Sequence, residues 1–131
     1  MSVVYVLDYD PTACQALQRA LPGLQLRFFK EASALQRALQ EAPQQRGFVR
    51  GFLCDLSQER QNAYAFSHWL KGSPFKDLPL VWLSSRISWG ELETDLAAGG
   101  GQDCFFKPFV PRVLQSFATR HFAPLYSFGV A

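Results

Sequence analysis

Five short apolar runs, each followed by a stretch of helical periodicity, predict an α/β protein. All but the second are continuous rather than alternating, as expected of strands buried on both faces, and strands so separated by helices are joined in parallel. Most of them deliver an acid, a hydroxyl or a lysine at their C-terminal end. Together these observations describe a doubly wound five-stranded parallel sheet with helices on both faces. With 131 residues, 48% of them hydrophobic, the chain can bury one substantial core and shows no repeat or linker that would divide it.

Val3-Val4-Tyr5-Val6-Leu7 is the first strand, ending in Asp8-Tyr9-Asp10-Pro11. Asp10 as N-cap and Pro11 at the first helical position then open a helix with Ala13, Ala16, Leu17, Ala20 and Leu21 on one face, stopped by Pro22-Gly23. Leu24 to Phe29 alternates and suits a strand near an edge. A second helix, residues 33–41, carries Ala34, Leu35, Ala38 and Leu39 inward and ends at Pro43. After Phe48-Val49 comes Gly51-Phe52-Leu53-Cys54-Asp55, an apolar strand running into a single carboxylate. Ala63, Phe66, Trp69 and Leu70 mark a third helix, closed by Gly72-Ser73-Pro74, and Leu80-Val81-Trp82-Leu83 a fourth strand ending in Ser84-Ser85. Ser88-Trp89-Gly90-Glu91 is a capping-box pattern that starts a fourth helix, ended by Gly99-Gly100-Gly101. Cys104-Phe105-Phe106 is the last strand, followed by Lys107-Pro108-Phe109 and a final helix from about Pro111 to His121. Residues 122–131 are an apolar tail without an assignment.

Composition excludes more than it identifies. A net charge of +2 with dispersed basic residues gives no footprint for direct nucleic-acid binding. No stretch approaches the ~20 apolar residues that span a bilayer, so no membrane role is expected. The start of the chain reads as a strand rather than a signal peptide. Cys14, Cys54 and Cys104 are odd in number, lack metal-type spacing and lie in apolar contexts, which suits small buried thiols in a reduced, cytoplasmic protein. Trp69, Trp82 and Trp89 suit packing roles, and His68 and His121 stand alone.

In a parallel sheet all C-terminal strand ends share one edge, where ligands bind in open α/β folds. Asp8, Asp10, Asp55, Ser84 and Lys107 should therefore gather there. Taken alone, Asp55 could equally start a turn or cap a helix. As a group, two or three carboxylates with a backbone carbonyl suit Mg²⁺, and a hydroxyl and an ammonium suit the oxygens of a phosphoryl group. Asp55 could then act as a nucleophile that forms an acyl phosphate.

Across residues 2–121 the sequence resembles the receiver domains of two-component response regulators. The resemblance is carried by Val6-Leu7-Asp8-Tyr9-Asp10-Pro11, Phe52-Leu53-Cys54-Asp55, residues 78–85 (Leu-Pro-Leu-Val-Trp-Leu-Ser-Ser) and residues 98–109, which end in Lys107-Pro108-Phe109. It implies a flavodoxin-like (βα)5 fold with strand order 2-1-3-4-5. It also implies that Asp55 accepts a phosphoryl group from a histidine kinase or phosphotransfer protein. Asp8, Asp55 and the Ser57 main-chain carbonyl would hold Mg²⁺, with Ser84 as the switch hydroxyl and Lys107 on the phosphoryl group. A downstream protein target, or a second copy in a homodimer, would use the face of the fourth helix, fifth strand and final helix, acidic at Glu91, Glu93 and Asp95 and basic at Arg112 and Arg120.

The sequence also departs from the family. Tyr9 stands where a second adjacent acid is usual, and a phenol is a poor Mg²⁺ ligand near neutral pH. Asp10 is acidic one position further on, either as helix cap or as substitute ligand. Gln58-Glu59 replaces the usual Met-Pro after the acceptor, Cys104 the usual switch aromatic, and Val113 the usual acid of the last helix. A second reading therefore keeps the same fold as a pseudo-receiver, an interaction module with little or no metal-dependent phosphorylation. A third, of another class, matches Asp8-Tyr9-Asp10-Pro11-Thr12 to the Asp-x-Asp-x-Thr pattern of haloacid-dehalogenase-type phosphohydrolases, with Asp8 as nucleophile. Residues 108–131 lack the further acids that family needs, and Asp55 would be left without a role.

Overall fold

The structure is a computed structural model and describes residues 3–8, 10–41, 48–56, 60–84, 103–106 and 110–122. Its strands are β1 (Val3–Leu7), β2 (Gln25–Phe29), β3 (Val49–Asp55), β4 (Leu80–Ser84) and β5 (Asp103–Phe106). Its helices are α1 (Pro11–Ala20), α2 (Ala32–Glu41), α3 (Arg60–Lys71) and α4 (Pro111–His121). The helix expected near residues 88–98 lies outside the described residues. All pairings are parallel, in one five-stranded sheet of order β2-β1-β3-β4-β5.

The unbroken apolar runs resolve into two cores because side chains alternate across a strand. Tyr5, Leu7, Phe52, Cys54, Leu80 and Trp82 pack beneath α2 and α3, meeting Leu35, Leu39, Ala63, Phe66 and Leu70. Val4, Val6, Leu53, Val81 and Leu83 face the other way, against Leu17 and Ala20 of α1, Leu21 at its C-cap, and Leu114 and Ala118 of α4. Phe52 is the hub of the first core, with its ring 5.2 Å from Phe66, 6.2 Å from Tyr5 and 6.5 Å from Phe75. Gln115 of α4 donates from Nε2 to the Ala20 carbonyl at 3.0 Å, occupying one of the acceptors left open at the end of α1. Among the described residues no helix is long and apolar enough to cross a membrane.

Two features depart from the sequence-based expectation. The first is a register shift in β3. Val3 pairs with Val49, but Val4 pairs with Gly51, which leaves Arg50 as an extra residue. Val49 and Phe52 thereby reach the same core although an odd number of positions separates them. The second is Phe122, assigned to the tail by its sequence context but only 2% exposed and part of the α1–α4 core. Its ring lies against Gly51, where a Cβ would overlap Phe122 Cε1 and sit 2.8 Å from the Pro79 carbonyl oxygen. Of the cysteines, Cys54 and Cys104 are buried as expected, whereas Cys14 is half-buried on α1.

Candidate functional site

The register beyond the bulge decides which groups meet. Leu7 pairs with Cys54, so the next residues, Asp8 and Asp55, leave β1 and β3 side by side. Asp55 pairs in turn with Leu83, which puts Ser84 at the adjoining end of β4. Neighbouring strands run about 4.8 Å apart, so these three side chains stand along one edge. All three are buried: Asp8 is 4% exposed, Asp55 6% and Ser84 2%. Lys107 follows Phe106, the partner of Ser84, but Lys107 and Ser57 lie outside the described residues, as does Tyr9.

Backbone hydrogen bonds fix the edge. The Asp8 amide donates to the Phe29 carbonyl at 3.0 Å, tying the end of β1 to the end of β2. The Leu56 amide donates to the Leu83 carbonyl at 2.8 Å, doing the same for β3 and β4. Asp8 Oδ1 accepts the Asp10 amide at 2.9 Å, so one carboxylate oxygen also orders the turn into α1. Asp10 itself caps α1, its Oδ1 accepting the Thr12 amide at 3.0 Å.

A half-buried polar contact that the sequence does not reveal lies at the rim. Asn62, in the first turn of α3, accepts the Ala32 amide on Oδ1 at 2.7 Å and donates from Nδ2 to the Lys30 carbonyl at 2.9 Å. The one hint in the sequence is its type, since asparagine is disfavoured inside helices and is kept where its amide has partners.

Electrostatically, the site gathers negative charge. Burial pushes the Cys54 thiol well above the ordinary thiol range, and the carboxylates of Asp55 and then Asp8 add to the shift. Two carboxylates side by side and out of water make an oxygen-rich place for a cation. This donor set fits a hard divalent cation that keeps part of its water shell, such as Mg²⁺. The fit rests on two carboxylates: among the described residues no group of three or more His, Cys, Asp or Glu is arranged for a metal.

No protein-family model matches the sequence, and no curated protein matches it. Solved structures do. A response regulator receiver protein from Burkholderia phymatum is 21% identical, covering 94% of this chain and 96% of its own, with a TM-score of 0.78. The chemotaxis protein CheY4 of Vibrio cholerae is 21% identical over 92% of this chain and 98% of its own, with a TM-score of 0.73. The signal receiver domain of a signal transduction histidine kinase from Syntrophus aciditrophicus is 21% identical over 95% and 92%, with a TM-score of 0.75. The chain therefore has the flavodoxin-like fold of receiver domains, with the predicted strand order. At these identities the likeness speaks for the fold, and a fold shared by many functions does not by itself assign one.

Proposed function

We propose that this chain is a response-regulator receiver domain in which Asp55 takes up a phosphoryl group from a histidine kinase or phosphotransfer protein and signals through protein–protein contact. The observation that carries the reading is the burial of Asp8, Asp55 and Ser84 together at the C-terminal ends of adjacent strands. An Asp55 oxygen attacks phosphorus as the bond from phosphorus to the donor's histidine nitrogen breaks, and water later cleaves the acyl phosphate to inorganic phosphate and the free Asp55 carboxylate. Mg²⁺ held by Asp8, Asp55 and the Ser57 carbonyl would offset the charge of the transferring group. Ser84 and Lys107 supply a hydroxyl and an ammonium as hydrogen-bond donors to the phosphoryl oxygens. Asp10 is left as the cap of α1.

The test is intact-mass analysis after incubation with acetyl phosphate and Mg²⁺. The expected result is uptake of one phosphoryl group by the native chain and none by Asp55→Asn. Uptake that persists in Asp55→Asn overturns the assignment of the acceptor. Failure of the folded native chain to take up phosphate favours the interaction-module reading, for which Tyr9 in place of a second acid is the specific ground. Partner binding through the fourth predicted helix, β5 and α4 would then be independent of phosphodonor.

A further inference from the structure

We infer that Asn62 is a positioning residue for the acidic edge, acting on Asp8 through the turn between β2 and α2. The inference rests on the pocket reading above for its consequence, but its geometry stands separately. Ala32 opens α2, and its amide is one of the N-terminal donors that a helix cannot satisfy internally. Glu31, the preceding residue, is not among the preferred capping types. The acceptor comes instead from another helix: Asn62 Oδ1 takes the Ala32 amide at 2.7 Å, the short end of the N–H···O range.

The other half of the same carboxamide donates to the Lys30 carbonyl at 2.9 Å. Oxygen thus faces a donor and nitrogen an acceptor, and turning the amide over would oppose like with like. Both bonds grip one turn, and the residue just before it, Phe29, receives the Asp8 amide at 3.0 Å. The Phe29 carbonyl belongs to the planar peptide that joins Phe29 to Lys30, so the turn cannot shift without moving the acceptor of the Asp8 amide. At its other end Asn62 rides on α3, the helix that follows Asp55. One side chain therefore links the segment that supports Asp8 to the helix that follows Asp55 in the chain.

A merely structural contact would lower global stability and nothing more, so the test needs a control of that kind. Ser73 supplies it: its Oγ donates to the Leu70 carbonyl at 2.8 Å and accepts the Phe75 amide at 3.1 Å, bracketing the far end of α3. Amide hydrogen exchange is measured on metal-free native chain, Asn62→Ala, Asn62→Asp and Ser73→Ala, each rate corrected for that variant's global stability. In Asn62→Ala the Asp8 amide should exchange about tenfold faster than in the native chain, while Ser73→Ala leaves it unchanged. Asn62→Asp keeps the acceptor for Ala32 and should recover part of the protection. Equal effects of Asn62→Ala and Ser73→Ala at Asp8 overturn the inference. Titration with Mg²⁺ then reads the consequence, with an affinity loss of about fivefold or more expected in Asn62→Ala but not in Ser73→Ala. A native chain that does not bind Mg²⁺ would refute the metal pocket, while the exchange comparison would still decide the role of Asn62.

Discussion

Replacing Gly51 by alanine adds a single methyl group at a crowded backbone position on β3. The new Cβ would overlap Phe122 Cε1 and lie 2.8 Å from the Pro79 carbonyl oxygen. The Phe52 amide donates to that same oxygen at 2.9 Å, so the oxygen cannot retreat without weakening a sheet bond. Overpacking of this kind costs about 1–3 kcal/mol, and a clash with backbone places Gly51→Ala in the upper half of that range. Phe122→Ala alone should cost about 3–5 kcal/mol, because the ring is almost fully buried. With the ring gone, the closer of the two clashes is removed and the Pro79 oxygen remains, so the cost of the added methyl should fall by about 1 kcal/mol or more, the signature of direct contact. Urea unfolding followed by tryptophan fluorescence measures all three variants. For a slope of ~1–3 kcal/mol/M, a loss of about 2 kcal/mol moves the midpoint by about 1 M. A Gly51→Ala midpoint indistinguishable from the native one, or strict additivity with Phe122→Ala, would refute the packing described for this end of the sheet.

Asp10→Ala should destabilise the chain by about 1 kcal/mol through loss of the α1 cap, whereas Asp10→Asn should be nearly neutral, as thermal unfolding would show. The buried Cys54 thiol holds its proton more tightly in the folded chain than in the unfolded one. Its stabilising effect is therefore complete below the ordinary thiol pKa of about 8.5 and is lost as pH rises through the higher folded value. The native chain should lose stability more steeply than Cys54→Ala over that alkaline interval, and equal slopes in urea midpoint against pH would contradict the assignment. Alkylation of the folded chain should reach half-buried Cys14 well before Cys54, a ranking that mass mapping checks.

Much of this architecture is legible without coordinates because it depends on local pattern. A strand buried on both faces leaves an unbroken apolar run, and a charge can stand only at its end, so Asp8 and Asp55 mark where β1 and β3 stop. Parallel connectivity then brings those ends to one edge. What escapes the sequence depends on which residue happens to oppose which. Nothing around Arg50 signals that it is passed over in the pairing with β1, since a bulge changes the partner and not the composition. Gly51 reads as the boundary of a strand until Phe122, far along the chain, is seen against it. Asn62 has its partners at Lys30 and Ala32, and a polar side chain does not announce where its hydrogen bonds go.

The residue passed over at Arg50 gives β3 two independent phases. Its first residue, Val49, is set by Val3 and by the core under α2 and α3, while everything from Gly51 onward is counted from Val4 and ends with Asp55 beside Asp8. The extra residue works as a slip joint between these two settings. The alignment of the two carboxylates is counted along the regular ladder that follows, from Val4 and Gly51 onward. A strand paired without interruption would bind both ends to a single count, and each adjustment at the entry would be felt, one residue at a time, where the acids meet.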